Sequence, residues 1–136
     1  MIDAVLDTNV VVSALLRPKS LPDLVLRLAL GERIRCFVSE ALLVEYEDVL
    51  GRLKLDISTR LTKITLQQIR RSFTTVVPVR QVAVAPDADD NKVLECALEA
   101  RAEFIITGNL RHFPARFQSI RILAPRDFLT VFQSEL

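Results

Sequence analysis

Four short strand-like segments, Ala4–Leu6, Cys36–Val38, Phe104–Thr107 and Ile120–Leu123, recur along the chain, the first three separated by stretches with helical spacing. Strands that run the same way need a long crossover between them, usually a helix, so this alternation predicts a parallel sheet covered on both faces. The expected fold is α/β, a three-layer α/β/α sandwich around a central parallel sheet. With half of its 136 residues hydrophobic, the chain has enough apolar material for one core, and residues 1–136 read as a single domain. No internal repeat or low-complexity segment supports a solenoid or a disordered tail.

Punctuation along the chain sharpens the elements. Ala4–Leu6 ends at Asp7, and Val10 to Leu16 is long enough for a buried helix before Pro18 stops it. Ser20 and Asp23 bracket the start of a second helix that ends near Gly31, and Ser39 is a good cap for a helix from Glu40 to about Leu50. Between Asp56 and Phe73 the apolar residues Ile57, Leu61, Ile64, Leu66 and Ile69, with cations between them, predict another helix or a helical pair. Val76 to Val84 contains Pro78 and reads as an edge strand or an extended connector. Asp87 then opens a helix to about Arg101, Gly108 turns the chain after the third apolar run, and a short helix starts around Pro125.

No uninterrupted apolar run exceeds four residues and no basic region precedes the first strand, so neither a membrane span nor a signal peptide is expected. Cys36 and Cys96 lack a C-x-x-C spacing and fall in apolar segments, which makes them small buried hydrophobes and suits the cytoplasm. The net charge of +1 argues against indiscriminate coating of nucleic acid, but the charges are segregated. From Gly51 to Pro86 there are seven cations against the single acid Asp56, whereas acids crowd Glu40 to Asp48 and Asp87 to Asp90. A basic flank beside an acidic pocket can hold a polyanion, and Arg70 and Arg71 are the candidate contacts; the competing reading is a solvated helix face.

In open parallel sheets the functional crevice lies beyond the carboxyl ends of the strands. Asp7 stands at such an end, where it could equally be a helix cap. On a helical wheel Leu42, Leu43, Tyr46, Val49 and Leu50 share one face with Glu45 at its edge, while Glu40, Glu47 and Asp48 point to solvent. Asp90 lies in register with Val93, Leu94 and Ala97, so its carboxylate should turn inward, whereas Lys92, Glu95 and Glu99 face out. Asp87-x-x-Asp90 has the spacing of a capping box, which leaves Asp87 and Asp89 as second-line candidates. Three inward acids would repel one another unless protonated or neutralised, and an oxygen-rich site of this kind suits Mg²⁺ or Mn²⁺. There is no Gly-rich phosphate loop and no zinc spacing, and the lone His112, next to Phe113-Pro114, reads as structural.

At these residues the chain resembles the PIN-domain family, specifically its small prokaryotic members, which include VapC-type toxins. The likeness covers essentially the whole chain. It rests on Leu6-Asp7-Thr8-Asn9, on the step from Ser39 to Glu45, on Asp87 through Ala97, and on the strand-end motif Thr107-Gly108-Asn109-Leu110-Arg111-His112-Phe113. The resemblance implies cleavage of single-stranded RNA dependent on Mg²⁺ or Mn²⁺, with Asp7, Glu45 and Asp90 as the core acids. Asn109 stands where many relatives carry a fourth acid; its amide could hold a metal-bound water but brings no charge, and Thr107 is a further second-line candidate. By the same resemblance the partners are single-stranded RNA, a cognate antitoxin whose inserted arginine would suit the acidic crevice, and a second copy of the chain.

Two other functions compete. One is a PIN-scaffold binding protein with little or no nuclease activity, against which the retention of all three acids speaks. The other is a phospho-accepting receiver domain, which should pair two acids after the first strand and offer a lysine at the last. Here Asp7 is followed by Thr8-Asn9, and Ile106-Thr107 leads to Gly108.

Overall fold

In the computed structural model, which describes residues 1–85 and 87–135, each of the first five helices begins at a side-chain cap. Asp7 caps α1 (Thr8–Leu16), Ser20 caps α2 (Leu21–Leu30), Ser39 caps α3 (Glu40–Leu50), Ser58 caps α4 (Thr59–Ser72) and Asp87 caps α5 (Ala88–Ala100). Each cap side chain accepts a backbone N–H that the helix cannot satisfy itself. The sixth, α6 (Pro125–Ser134), relies instead on proline in its first turn.

Among the described residues six strands form one sheet: β1 (Asp3–Leu6), β2 (Arg35–Val38), β3 (Thr74–Thr75), β4 (Phe104–Ile106), β5 (Arg116–Phe117) and β6 (Ile120–Leu123), in the order β3-β2-β1-β4-β6-β5. All pairings are parallel except β5 with β6. The central β1 aligns Val5 with Phe37 on one side and Leu6 with Ile106 on the other. Val5, Leu6, Val38, Ile105 and Ile106 are completely buried, as a sheet covered on both faces requires. Helix α5 packs on β1, β2 and β4 with α3 beside it, and α2 joins α1 to α6. The architecture is the expected α/β/α sandwich.

Two expectations needed adjustment. The edge strand is Thr74–Thr75, just before the segment considered for it, and residues 76–84 are the extended connector. That connector is tied to α5 by side chains one turn apart: Val79, Val82 and Ala85 donate their N–H groups to Glu99, Glu95 and Asn91. The second is β5, a two-residue antiparallel addition at the opposite edge, together with short 3₁₀ turns at Leu53–Leu55 and Leu110–His112. Cys36 and Cys96 are free and buried. Among the described residues no helix is long and apolar enough to cross a membrane.

Candidate active site

Asp7 is at once a helix cap and a candidate site residue. Its N–H extends the β1–β4 ladder to the Ile106 carbonyl at 2.9 Å, one carboxylate oxygen accepts the Thr8 N–H at 2.8 Å, and the other accepts the Thr107 hydroxyl at 2.7 Å. Only 4% of the residue is exposed. Burial pushes its carboxyl above the ordinary range, against the hydrogen bonds from Thr107 and Thr8. Thr107, itself fully buried, accepts the Asn109 N–H at 2.9 Å, and Asn9 accepts the Gly108 N–H at 2.9 Å. The first and last motifs are thereby locked together across 100 residues.

Helix α3 is seated on the same strand end. The fully buried Tyr46 donates its hydroxyl to the Leu6 carbonyl, and the neighbouring Glu45, half-buried, accepts the Thr8 hydroxyl. Burial raises the Glu45 carboxyl, the Thr8 bond lowers it, and the charge of Asp89 raises it again. The charge of Asp89, in the first turn of α5, thus acts on Glu45 of α3. Asp89, expected only in a second line, is exposed to solvent. Its carboxyl is held below the ordinary value chiefly by Lys92, whose ammonium lies 2.9 Å away.

Asp90 turns inward as its register predicted and is 9% exposed. Asp87 takes the Asp89 N–H. Burial first, and the Asp7 charge second, push the Asp90 carboxyl up to about 6. Its Oδ2 lies 3.2 Å from His112 Nδ1 without the alignment of a hydrogen bond, and no other group among the described residues bonds that buried oxygen. His112 is thus no bystander: it touches Asp90, and the Asn109 amide lies 3.3 Å from its ring nitrogens. The only local sign was its place three residues after Asn109 in the strand-end motif.

The charge of Asp7 acts on Asp90 and that of Asp89 on Glu45. Among the described residues no three His, Cys, Asp or Glu side chains converge closely enough to enclose an ion alone. Mg²⁺ is commonly held by one or two carboxylates with several waters, so the Asp7–Asp90 pair and its unpartnered oxygen fit such an ion. A hollow of about 400 Å³ lined by Asp87, Ala88, Asp90 and His112 opens beside it. The basic stretch lies elsewhere: a groove of about 800 Å³ between α3 and α4 is lined by Arg52, Lys63 and Arg70. Arg70 is ion-paired with Glu40 at 3.1 Å, and Arg71 is exposed with no ion pair among the described residues.

Residues 3–111 match the PIN domain, a span that includes Asp7, Glu45, Asp89, Asp90 and Asn109. The chain belongs to the PIN-domain family. PIN domains are generally nucleases and usually use divalent metal ions, so this PIN domain has a nuclease-type, hydrolytic function. An uncharacterized protein of Methanocaldococcus jannaschii is similar to it, 29% identical over 145 aligned positions that cover 97% of this chain and 92% of the relative.

Proposed function

We propose that this PIN domain is a Mg²⁺- or Mn²⁺-dependent endoribonuclease of single-stranded RNA, acting in the cytoplasm as the toxin of a VapC-type toxin–antitoxin pair. The observation that carries the reading is the buried Asp7–Asp90 pair, two like charges with one unpartnered carboxylate oxygen. Such a pair is costly unless a proton or a cation relieves it.

Asp7 and Asp90 would hold the ion, Thr107 keeping Asp7 oriented, with Asn109 and His112 as the neighbouring wall. When bound, the ion supplies activation of a water and stabilisation of the phosphodiester oxyanions. Glu45, oriented by Thr8 and with a raised affinity for protons, is placed to hold a proton at its carboxylate during attack. Arg70, Arg71 and the α3–α4 groove offer cations for the RNA backbone. An antitoxin arginine entering between Asp7 and Asp90 would neutralise the pair as the ion does.

A PIN-scaffold binding protein with little or no nuclease activity draws on one observation, that no three acids converge among the described residues. Incubation of single-stranded RNA with the protein and Mn²⁺ separates the two readings. Cleavage that stops in excess chelator and in Asp7→Asn supports the nuclease; intact RNA with either ion favours the binding protein.

A further inference from the structure

Two hollows meet at Ala88. One is the acidic hollow of Asp87, Asp90 and His112; the other, of about 730 Å³, lies between α5 and the connector, and Ala88 lines both. The residue they share is exposed and carries only a methyl group. The α3–α4 groove, by contrast, has no lining residue in common with the acidic hollow. The connector wall is fixed in place. Val79, Val82 and Ala85, spaced three apart, give their N–H groups to Glu99, Glu95 and Asn91, spaced four apart on α5, and the Asn91 amide returns a bond to the Ala85 carbonyl at 3.3 Å. With those groups turned to the helix, Arg80, Gln81, Ala83 and Val84 stand in solvent. Arg80 has no ion pair among the described residues, and it lines the pocket together with Lys92. The acid of this wall is Glu95, which is engaged by the Val82 N–H at 2.9 Å.

We propose that the pocket between α5 and the connector is a subsite for single-stranded RNA, which takes the nucleotide next to the acidic hollow and meets its phosphate with Arg80 and Lys92. The inference deepens the ribonuclease reading above and rests on it for the identity of the ligand, but no metal ion enters it. A strand lying in the acidic hollow has to leave it, and over Ala88 it passes into a pocket that offers two cations. The pocket falls within the range of roughly 300–1,000 Å³ usual for sites of small ligands. A wall already fixed by hydrogen bonds needs little ordering when a strand binds. A guanidinium without a partner can take a phosphate through its fork or lie flat on a base, both of which single-stranded RNA presents.

The test is the affinity of a short fluorescein-labelled oligouridylate, read by fluorescence anisotropy across a range of salt and in excess chelator so that nothing is cut. Arg80→Gln should weaken binding about fivefold, the worth of one close charge pair in water, and should lower the salt slope by about 0.7. Arg80→Lys, which keeps the charge, should bind as the parent does. Ala88→Glu should weaken binding at least as much as Arg80→Gln yet stay folded, because an acid is favourable in the first turn of a helix. Arg33→Gln, which removes a cation at the other end of the sheet just before β2, should leave affinity and slope unchanged. Circular dichroism confirms that the variants keep the fold. Arg80→Gln matching the parent, Arg33→Gln losing as much, or a parent that does not bind the probe overturns the proposal. If RNA is bound in this way yet stays intact with Mn²⁺, the inference stands and the ribonuclease reading falls; if RNA is cut and Arg80→Gln changes nothing, the reverse holds.

Discussion

At the carboxyl ends of β1 and β4 the charged groups are buried, Asp7 4% and Asp90 9% exposed, whereas on α4 Arg70 and Arg71 stand in solvent. The first region holds like charges close together with little water to screen them; the second spreads cations over a surface, one of them loosely paired with Glu40. Screened surface pairs contribute little to stability, while buried like charges oppose folding. The molecule is therefore destabilised at the proposed site and nearly indifferent where it would hold a polyanion. Substitutions in the two regions should differ in size, and for stability in sign.

The largest effect is expected at Asp90. Asp90→Asn should cut RNA cleavage by about 10³-fold, the scale seen when a group stabilising a reacting centre is removed. At about pH 7.5 and without metal its melting temperature should equal or exceed the parent's, because losing one charge relieves Asp7. A variant that melts clearly lower yet still cleaves would make Asp90 a structural cap.

The pH dependence sharpens the same contrast. Asp90 holds its proton to about 6 in the fold against an ordinary 3.8, so between these values the folded state binds more protons than the unfolded one. Stability of the metal-free protein should fall as pH rises through that window. Thermal melts of parent and Asp90→Asn should therefore coincide near about pH 4 and separate by about pH 6.5; parallel curves throughout would place the repulsion elsewhere.

Tyr46→Phe should cost about 1–3 kcal/mol, since the Leu6 carbonyl loses its buried donor. Urea denaturation measures it, and an unchanged midpoint would mean that α3 is not pinned to β1 through this bond. The smallest effects belong to α4. Arg71→Glu should weaken single-stranded RNA binding several-fold and flatten its salt dependence by roughly 0.7 for each phosphate no longer neutralised, with stability changed by under about 0.5 kcal/mol. Arg70→Glu should do the same while freeing Glu40. Salt slopes equal to the parent's would return both residues to the solvated face.

What could be read from the sequence was what neighbouring residues decide. Ser39 before an apolar periodic run placed α3 at Glu40–Leu50, and the register of Asp90 with Val93, Leu94 and Ala97 turned it inward. The influence of Asp89 on Glu45 was not legible, because it acts across two helices whose mutual placement no local pattern encodes. His112 was missed for a similar reason: a one-turn 3₁₀ segment carries no periodicity, so nothing nearby said that its ring would reach Asp90. β5 is two residues long and exists through its partner β6. Arg70's engagement with Glu40 joins residues 30 apart and was equally hidden.

The pairing of β1 with β4 also bears on when the site comes into being. Asp7 is made some 100 residues before the backbone and hydroxyl groups that orient it, from Ile106 and Thr107. A nascent polypeptide short of that point has the carboxylate without its frame, and Asp90 has no β4 beside its helix to settle against. A nuclease-type activity assembled in this order has no framed carboxylate at Asp7 until Thr107 has been added.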